Sequence, residues 1–250
     1  MISYDESNSM QAMIFAAGLG TRLKPLTDHK PKALIEVCGK PLLWHVLNRL
    51  KAAGTNRIVI NLHHFSSQII DYLEENQFFG LDIKISDETS LLLDTGGGLR
   101  KAAPLFDDYR PIFIHNVDIF SNVDIRQFYL SMSGDATLMV STLPSTRKLI
   151  FDDDMRLVGW TNTQTGEIKS PYPNLKPEKY HQFAFSGIHT FSPTLFSLME
   201  SWPSRFGIID FYLNVCRDRH IKGFLKEDLR FIDVGKLDTL KEAESFIQTL

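Results

Sequence analysis

The chain has 250 residues, of which 43% are hydrophobic and 23% are charged, a composition typical of a globular protein with a sizeable buried core. Its formal net charge of −3 argues against a nucleic-acid-binding protein with a broad basic surface. Its two cysteines exclude a disulfide framework, and no apolar run is long enough to predict a membrane-spanning segment.

The N-terminal residues are polar and acidic, and they lack the basic and apolar regions of a signal peptide. We therefore predict a flexible lead over residues 1–9 and a single folded domain over residues 10–250. A cytoplasmic location is the corresponding expectation.

A glycine loop with two cations follows the first predicted strand. That strand, over 11–16, ends in a turn that carries Gly18 and Gly20, and Arg22 and Lys32 come next. Glycine lets the backbone approach an anion closely, and successive N–H groups in such a loop form an anion site. Arginine adds a planar fork of donors and lysine a compact charge. The order predicts binding of a nucleoside triphosphate, although it matches neither a Walker A loop nor Gly-x-Gly-x-x-Gly.

Strand and helix patterns alternate up to about residue 142. Apolar spacing predicts strands over 11–16, 57–62, 81–86, 111–115 and 136–142, and helices over 41–53, 66–77 and 124–132, with another helix after a second glycine loop through residue 105. Such alternation implies right-handed βαβ crossovers. The predicted fold class is therefore α/β, with a mostly parallel, mixed sheet between two helical layers.

The pattern changes after residue 142. Short strands over 148–151 and 157–160 flank an acidic turn and predict an inserted β-hairpin region, and a Pro-rich stretch predicts a loop over 169–179. Further strands are predicted over 183–191 and 231–234, and helices over 193–200, 209–219 and 239–250. We interpret the chain as one domain with two halves, 10–142 and 143–250.

Two aspartates follow predicted strands and are candidate metal ligands. Asp118 comes after the strand 111–115, and Asp233 lies in the string Phe-Ile-Asp-Val-Gly. Ligands of open α/β sheets bind beyond the carboxyl ends of the strands, where a carboxylate can hold Mg²⁺ against substrate phosphates. The alternative is that Asp118 caps the next turn and that Asp233 accepts hydrogen bonds from nearby amides.

The second glycine loop, 94–98, contains Gly96, Gly97 and Gly98 in succession before a predicted helix. Three glycines are costly in chain entropy, and a flat ligand lying on the backbone is one reason for them. A wide turn whose amides cap the following helix is the other.

The string Ala-Ala-Gly-x-Gly-Thr-Arg-Leu-x-Pro-Leu-Thr, followed by Pro-Lys-Ala-Leu at 31–34, resembles the signature of the sugar-1-phosphate nucleotidyltransferases. The resemblance extends over nearly the whole chain. It implies a three-layer, Rossmann-like nucleotidyltransferase fold similar to the GT-A fold. It also implies a nucleotide-binding half over 10–142, a sugar-binding half over 143–250, and transfer of a nucleotidyl group to a sugar 1-phosphate with release of pyrophosphate.

The resemblance also implies residue roles. Arg22 would bind the β- and γ-phosphates and Lys32 the α-phosphate, and both are treated as catalytic, while Asp118 and Asp233 would hold Mg²⁺. The residues implied to bind the nucleotide are Ala16, Ala17, Gly18, Gly20, Thr21, Gly96, Gly97 and Gly98. Those implied to bind the sugar are Asn116, Gly187 and Asp210, although Gly187 can equally serve packing and Asp210 can equally cap a helix. Val117 stands where the family usually has glycine, which puts the shape of that turn in doubt.

Within the family, the short length and the string Leu-Leu-Asp-Thr-Gly-Gly-Gly are most similar to N-acetylmuramic acid 1-phosphate uridylyltransferases. Mannose- or heptose-1-phosphate guanylyltransferases are the alternative, and relatives that act on choline phosphate share the front half. A regulatory protein that binds nucleotide or sugar phosphate without catalysis is the alternative of another class. The expected partners are a nucleoside triphosphate and a sugar 1-phosphate, with no nucleic acid or membrane, in a monomer or homodimer.

Overall fold

The computed structural model of the protein describes residues 9–107 and 109–250, so the predicted lead, 1–9, lies outside the described part except for Ser9. Its strands in chain order are β1 (Met10–Phe15), β2 (Glu36–Val37), β3 (Lys40–Pro41), β4 (Thr55–Leu62), β5 (Asp82–Asp87), β6 (Ile112–Asn116), β7 (Ile119–Ser121), β8 (Ala136–Ser141), β9 (Arg147–Phe151), β10 (Leu157–Asn162), β11 (Glu167–Lys169), β12 (His181–Phe191), β13 (Ile221–Leu225) and β14 (Phe231–Asp233). The α-helices are α1 (Leu42–Ala52), α2 (Ser66–Glu75), α3 (Asp94–Ala102), α4 (Ile125–Leu130), α5 (Phe196–Met199), α6 (Ile208–Val215) and α7 (Leu237–Ile247).

One mixed sheet organises the fold. Along its main path the strand order is β11-β10-β9-β12-β6-β1-β4-β5, and β8 pairs with both β12 and β13. β1 is parallel to both β4 and β6, and β4 is parallel to β5. The outer strands β9 to β12 pair antiparallel. The predicted α/β sheet is confirmed, with most of its parallel strands in the first half of the chain and most of its antiparallel strands in the second.

Helices cover both faces of this sheet. Alternate residues of a strand point to opposite faces, and β1 accordingly sends Ala12 and Ile14 into one apolar core and Met13 into another. The first core contains Leu47 of α1 and the second contains Phe211 of α6, all fully buried. The chain therefore has the three layers that the sequence predicted.

Five strands were not predicted: the short pair β2 and β3, and three others, β13, β7 and β11. β13 runs parallel to β8 over Ile221 to Leu225, and its short mixed sequence gave no clear period. β7 and β14 form a separate antiparallel ribbon in which Asp233 pairs with Ile119. This pairing joins segments more than a hundred residues apart, which local sequence patterns do not predict. The third, β11, adds an outer strand to the predicted hairpin at β10. Among the described residues, every helix is too short or too polar to cross a bilayer.

His189 lies buried in β12, and neither of its ring nitrogens has a hydrogen-bond partner among the residues that the structure describes. Burial lowers its pKa from 6.5 to about 3. The folded protein therefore keeps this ring neutral at mild acidity while the unfolded chain protonates it, so stability is lost as the pH falls below the unfolded value.

We expect His189→Leu to remove this pH dependence. Between about pH 7 and about pH 5, the wild type should lose roughly 2 kcal/mol more unfolding free energy than the variant. Urea unfolding at both pH values measures the difference. Equal losses in the two proteins would contradict a neutral buried ring.

Candidate active site

A cleft of about 240 Å³ opens where the parallel strands β1 and β6 end. This is the edge at which open α/β sheets bind ligands. Seven of the residues in its lining are Ala16, Ala17, Gly18, Lys32, Asn116, Val117 and Asp118. Six of these seven were predicted as site residues, and the fold brings them together from three separate segments.

The first glycine loop forms one wall of the cleft. Gly20 has φ of +63°, and a Cβ there would lie 2.8 Å from Thr27 Cγ2, so the turn requires glycine. The Thr27 hydroxyl donates a hydrogen bond to the Gly20 carbonyl (2.9 Å) and fixes the loop. Within the described chain, the amides of Ala17 and Gly18 have no hydrogen-bond acceptor. They are therefore available to an anion that enters the cleft.

Lys32 and Asp118 form an ion pair inside the cleft. The Lys32 ammonium contacts Asp118 Oδ2, and their side chains are only 11% and 14% exposed. Lys32 opens a short 3-10 turn after Pro31, and Asp118 follows β6. The arrangement places one cation and one carboxylate next to the two open amides.

Asp233 adds a second carboxylate beside Asp118. The Val234 amide donates to the Asp118 carbonyl (2.8 Å), which holds β14 against the turn after β6. Burial and the charge of Asp118 raise the pKa of Asp233, only partly opposed by Lys32 and Arg22. The guanidinium of Arg22 lies 3.9 Å from Asp233 and is more than half exposed, and the cleft lining includes neither of these two residues. Thr21, in the same 3-10 turn, is also exposed.

Sequence reasoning missed a buried polar bridge behind the cleft. The Ala16 amide donates to Asn61 Oδ1 (2.8 Å), and Asn61 Nδ2 donates to the fully buried carboxylate of Glu88 (2.7 Å). Glu88 also accepts from the Leu93 amide (3.0 Å) at the start of α3. The bridge ties the first glycine loop to the second. A polar residue at the carboxyl end of the apolar strand β4 was the signal that could have revealed it.

The prediction that Gly96, Gly97 and Gly98 form a loop before a helix is wrong, because α3 already begins at Asp94. The amides of Gly96 and Gly97 donate to the Phe206 carbonyl at 2.9 and 3.2 Å. A Cβ on Gly98 would lie 2.6 Å from the Glu88 carboxylate. Close packing thus accounts for the three glycines, while the cleft lining includes Asp94 and Thr95 just before them. Base binding by the glycines stays a prediction.

Gly187 packs directly on Asn116. It has φ of +79°, and a Cβ there would lie 2.8 Å from Asn116 Nδ2. It sits where the pairing of β12 with β8 shifts register, so the bulge aims the backbone at Asn116 in the cleft. Val117 does not adopt a positive φ and is almost fully buried, so the turn before Asp118 needs no glycine.

Asp210 does not lie in this cleft and does not cap its helix. It is the third residue of α6, and it pairs with Lys169 at 3.1 Å in a neighbouring cleft. Sugar binding by Asn116, Gly187 and Asp210 stays a prediction, although the structure places the first two in contact.

Residues 11–148 match a family model described as Nucleotidyl transferase. The N-acetylmuramate alpha-1-phosphate uridylyltransferase of Neisseria meningitidis is 32% identical over 94% of this chain and 97% of its own length. The enzyme of the same name from Caulobacter vibrioides is 46% identical, but the aligned part covers 43% of this chain and only 45% of that protein.

More distant relatives carry other specificities in their names. The mannose-1-phosphate guanylyltransferase catalytic subunit beta of Dictyostelium discoideum is 30% identical over 78% of this chain, and the chain spans about half (53%) of that protein. The inositol-1-phosphate CTP transferase of T. maritima superposes with a TM-score of 0.75 at 14% identity, over 96% of both chains. At that identity the likeness shows the shared fold alone.

Proposed function

Because this chain belongs to the nucleotidyl transferase family, among the sugar-1-phosphate nucleotidyltransferases, we propose that it joins a nucleoside monophosphate from a triphosphate to a sugar 1-phosphate. A phosphate oxygen of the sugar 1-phosphate attacks the α-phosphorus, and pyrophosphate leaves. The observation that carries this proposal is the cleft where the open amides of Ala17 and Gly18 face the Lys32–Asp118 pair. Such a reaction depends on positioning and charge neutralisation more than on covalent help from the protein.

The burial of the two cations supports the role that we propose for each. Lys32, deep in the cleft, neutralises the α-phosphate and the incoming phosphate. Arg22, which is exposed beside Asp233, binds the β- and γ-phosphates and the departing pyrophosphate. An incoming phosphate competes with Asp118 for the Lys32 ammonium, so the ion pair opens when substrate enters.

The two aspartates fit a divalent cation. Their carboxylates lie close enough that Asp118 raises the pKa of Asp233, and a cation between them removes that repulsion. Among the described residues, no cluster of three or more His, Cys, Asp or Glu side chains is placed to hold a metal. Mg²⁺ commonly takes one or two protein carboxylates and completes its shell with phosphate oxygens and water. When bound, Mg²⁺ neutralises charge on the phosphates.

Asp233→Asn is expected to separate metal binding from folding. Asn has a similar shape but no charge, so the variant no longer repels Asp118 and should melt at or above the wild-type temperature. It should also lose most of the stabilisation that MgCl₂ and UTP give together. Thermal melting with and without MgCl₂ measures both effects. Asp228→Asn, an exposed aspartate paired with Lys226 at 2.7 Å, serves as the control and should keep the magnesium response. An undiminished response in Asp233→Asn would remove Asp233 from the metal site.

For the substrates we favour UTP and N-acetylmuramic acid 1-phosphate, or a similar hexose 1-phosphate. The support is the full-length similarity to the Neisseria uridylyltransferase. GTP with mannose or heptose 1-phosphate is the second candidate, supported by the guanylyltransferase relative. A cytoplasmic location, a role in cell-wall synthesis and a monomeric or homodimeric state stay predictions.

The test is pyrophosphate release with MgCl₂, screening five nucleoside triphosphates against muramic, glucosamine, glucose, mannose and heptose 1-phosphates. Pyrophosphate release that requires one particular triphosphate together with one particular sugar phosphate supports the proposal and identifies the two substrates. Nucleotide binding by folded protein without release for any pair overturns it. That result favours a non-catalytic binding protein or an acceptor such as choline phosphate.

A further inference from the structure

A second cleft of about 420 Å³ lies between helix α6 and the outer strands of the sheet. Two aromatic rings, Trp160 and Phe185, and three charged side chains, Arg147, Lys169 and Asp210, line it. In the sequence, Arg147 stands between Thr146 and Lys148, with no aromatic residue next to it. The fold instead brings Arg147 beside aromatic rings that the chain supplies from other strands.

Strand register explains why these side chains share one face. Trp160 pairs with Leu149 on one side and with Lys169 on the other, and directly opposed residues of antiparallel strands point the same way. Arg147 precedes Leu149 by two residues, so it lies on the same face of β9. The cleft floor is therefore a built surface, with α6 closing it from above.

The charges in this cleft are not balanced. Lys169 is neutralised by Asp210 at 3.1 Å, and its ammonium lies over the Trp160 ring, 5.4 Å from the centroid. The guanidinium of Arg147 has no ion-pair or hydrogen-bond partner anywhere in the described chain. One uncompensated arginine thus faces a polar and aromatic cleft, an environment that suits a carboxylate or phosphate.

Two short chain segments connect this cleft to the candidate active site. Phe185, in the second cleft, is two residues before Gly187, which packs on Asn116 in the first. The Ile208 amide donates to the Thr95 hydroxyl (3.0 Å), which lines the first cleft, and Asp210 follows two residues later in the second. A ligand long enough to extend from the first cleft past Gly187 and Phe185 would therefore enter the second cleft, which Arg147 lines.

We propose that Arg147 binds a carboxylate on the sugar of the sugar 1-phosphate, while the apolar face of the sugar ring packs against Trp160. This inference rests on the proposed function and narrows it, because the substrate class becomes an acidic hexose 1-phosphate. N-Acetylmuramic acid 1-phosphate has such a carboxylate on its lactyl ether, and N-acetylglucosamine 1-phosphate is the same sugar without that ether. The two compounds form a matched pair of substrates for the test.

The experiment measures kcat and KM for both sugar phosphates, with UTP and MgCl₂, in the wild type, Arg147→Ala and Lys148→Ala. Loss of a charge-assisted, bidentate contact should raise the KM of Arg147→Ala for the acidic sugar phosphate roughly 10- to 100-fold, with kcat nearly unchanged. Its KM for N-acetylglucosamine 1-phosphate should not change. Lys148→Ala removes one cation from the opposite face of the same strand and should match the wild type with both substrates.

The outcomes separate this inference from the proposed function. If the wild type uses both sugar phosphates equally well, or if Arg147→Ala weakens both to the same extent, the transfer reaction stands and the carboxylate contact is wrong. If none of the sugar phosphates supports pyrophosphate release by the wild type, the proposed function fails, and the contact between Arg147 and the carboxylate fails with it. Arg147→Lys should recover part of the affinity for the acidic sugar phosphate alone, which a purely structural role for Arg147 would not produce.

Discussion

Lys32→Met should lower kcat/KM for nucleotidyl transfer roughly 100- to 1000-fold, because it removes the cation that faces the reacting phosphates. Methionine keeps most of the length and apolar stem of lysine, so the change is chiefly one of charge. The Lys32 side chain is 11% exposed, and a charge in such a poorly solvated place acts on a phosphate more strongly than a charge in water does. The measurement is pyrophosphate release with the substrate pair that the wild type uses.

Two further variants make this result interpretable. Lys30→Met removes a lysine only two residues away that pairs with Glu36 at 3.1 Å on the surface, and it should keep wild-type activity because exposed ion pairs contribute little. Lys32→Met leaves Asp118 beside Asp233 without its cation, so its melting temperature should fall. Lys32→Arg keeps the charge and the fold but changes the donor geometry, and it should retain intermediate activity. If folded Lys32→Met works within about threefold of the wild type, Lys32 does not stabilise the transition state.

The sequence predicted the parts of the site that depend on local order. A strand followed by glycines and cations largely determines the shape of the loop after it. The loop turns at the glycine whose φ is positive, and the residues next to it in the sequence stay close to the end of the strand. For this reason Ala16, Ala17, Gly18 and Lys32 could all be assigned to one cleft before the fold was known. The end of a strand in an α/β sheet has an equally general meaning, and it predicted that Asp118, which follows β6, lies at the edge where such sheets bind ligands; its role there stays a prediction.

The parts that the sequence did not predict depend on pairing between distant segments. The resemblance implied that Asp118 and Asp233 hold one metal ion, but it is the ribbon of β7 and β14 that brings them together, and strands of only three residues each do not predict that pairing. Arg147 joins Trp160 and Lys169 only because three outer strands align in one register. Glu88 becomes a buried bridge because its partners come from β4 and α3. Short apolar runs do not encode such partners, so local sequence patterns do not bring these charged residues together.

The two glycine-rich segments, 18–20 and 96–98, look alike in sequence, yet the structure gives a different reason for glycine at Gly97 than at Gly18. A Cβ on Gly97 would overlap the Ser204 carbonyl oxygen, which belongs to the backbone and cannot rotate away. A Cβ on Gly18 would meet no atom of residues 9–107 or 109–250 within 4 Å, and Gly18 does not have a positive φ. Glycine at 97 is thus required by the packing of α3, whereas nothing in the fold requires glycine at 18.

Gly97→Ala should therefore lower the free energy of unfolding by roughly 3 kcal/mol, the cost of overpacking a tight contact. Helix propensity alone predicts the opposite sign, since alanine is favoured over glycine inside a helix by about 1 kcal/mol. Urea unfolding measures the change. An unchanged or higher free energy of unfolding would mean that the segment 204–206 moves aside freely. Close packing would then not be the reason for glycine at position 97.

Gly18→Ala should give the reverse pattern, with unchanged or slightly higher stability and affinity for UTP lowered about tenfold, since the added methyl group stands where a phosphate approaches the loop. Urea unfolding and calorimetric titration with UTP measure the two quantities on the same protein. A folded Gly18→Ala that binds UTP as tightly as the wild type would show that the loop does not approach the nucleotide. The pair of variants thus tests which glycines serve the ligand and which serve the fold, because each proposed reason predicts a loss in only one of the two measurements.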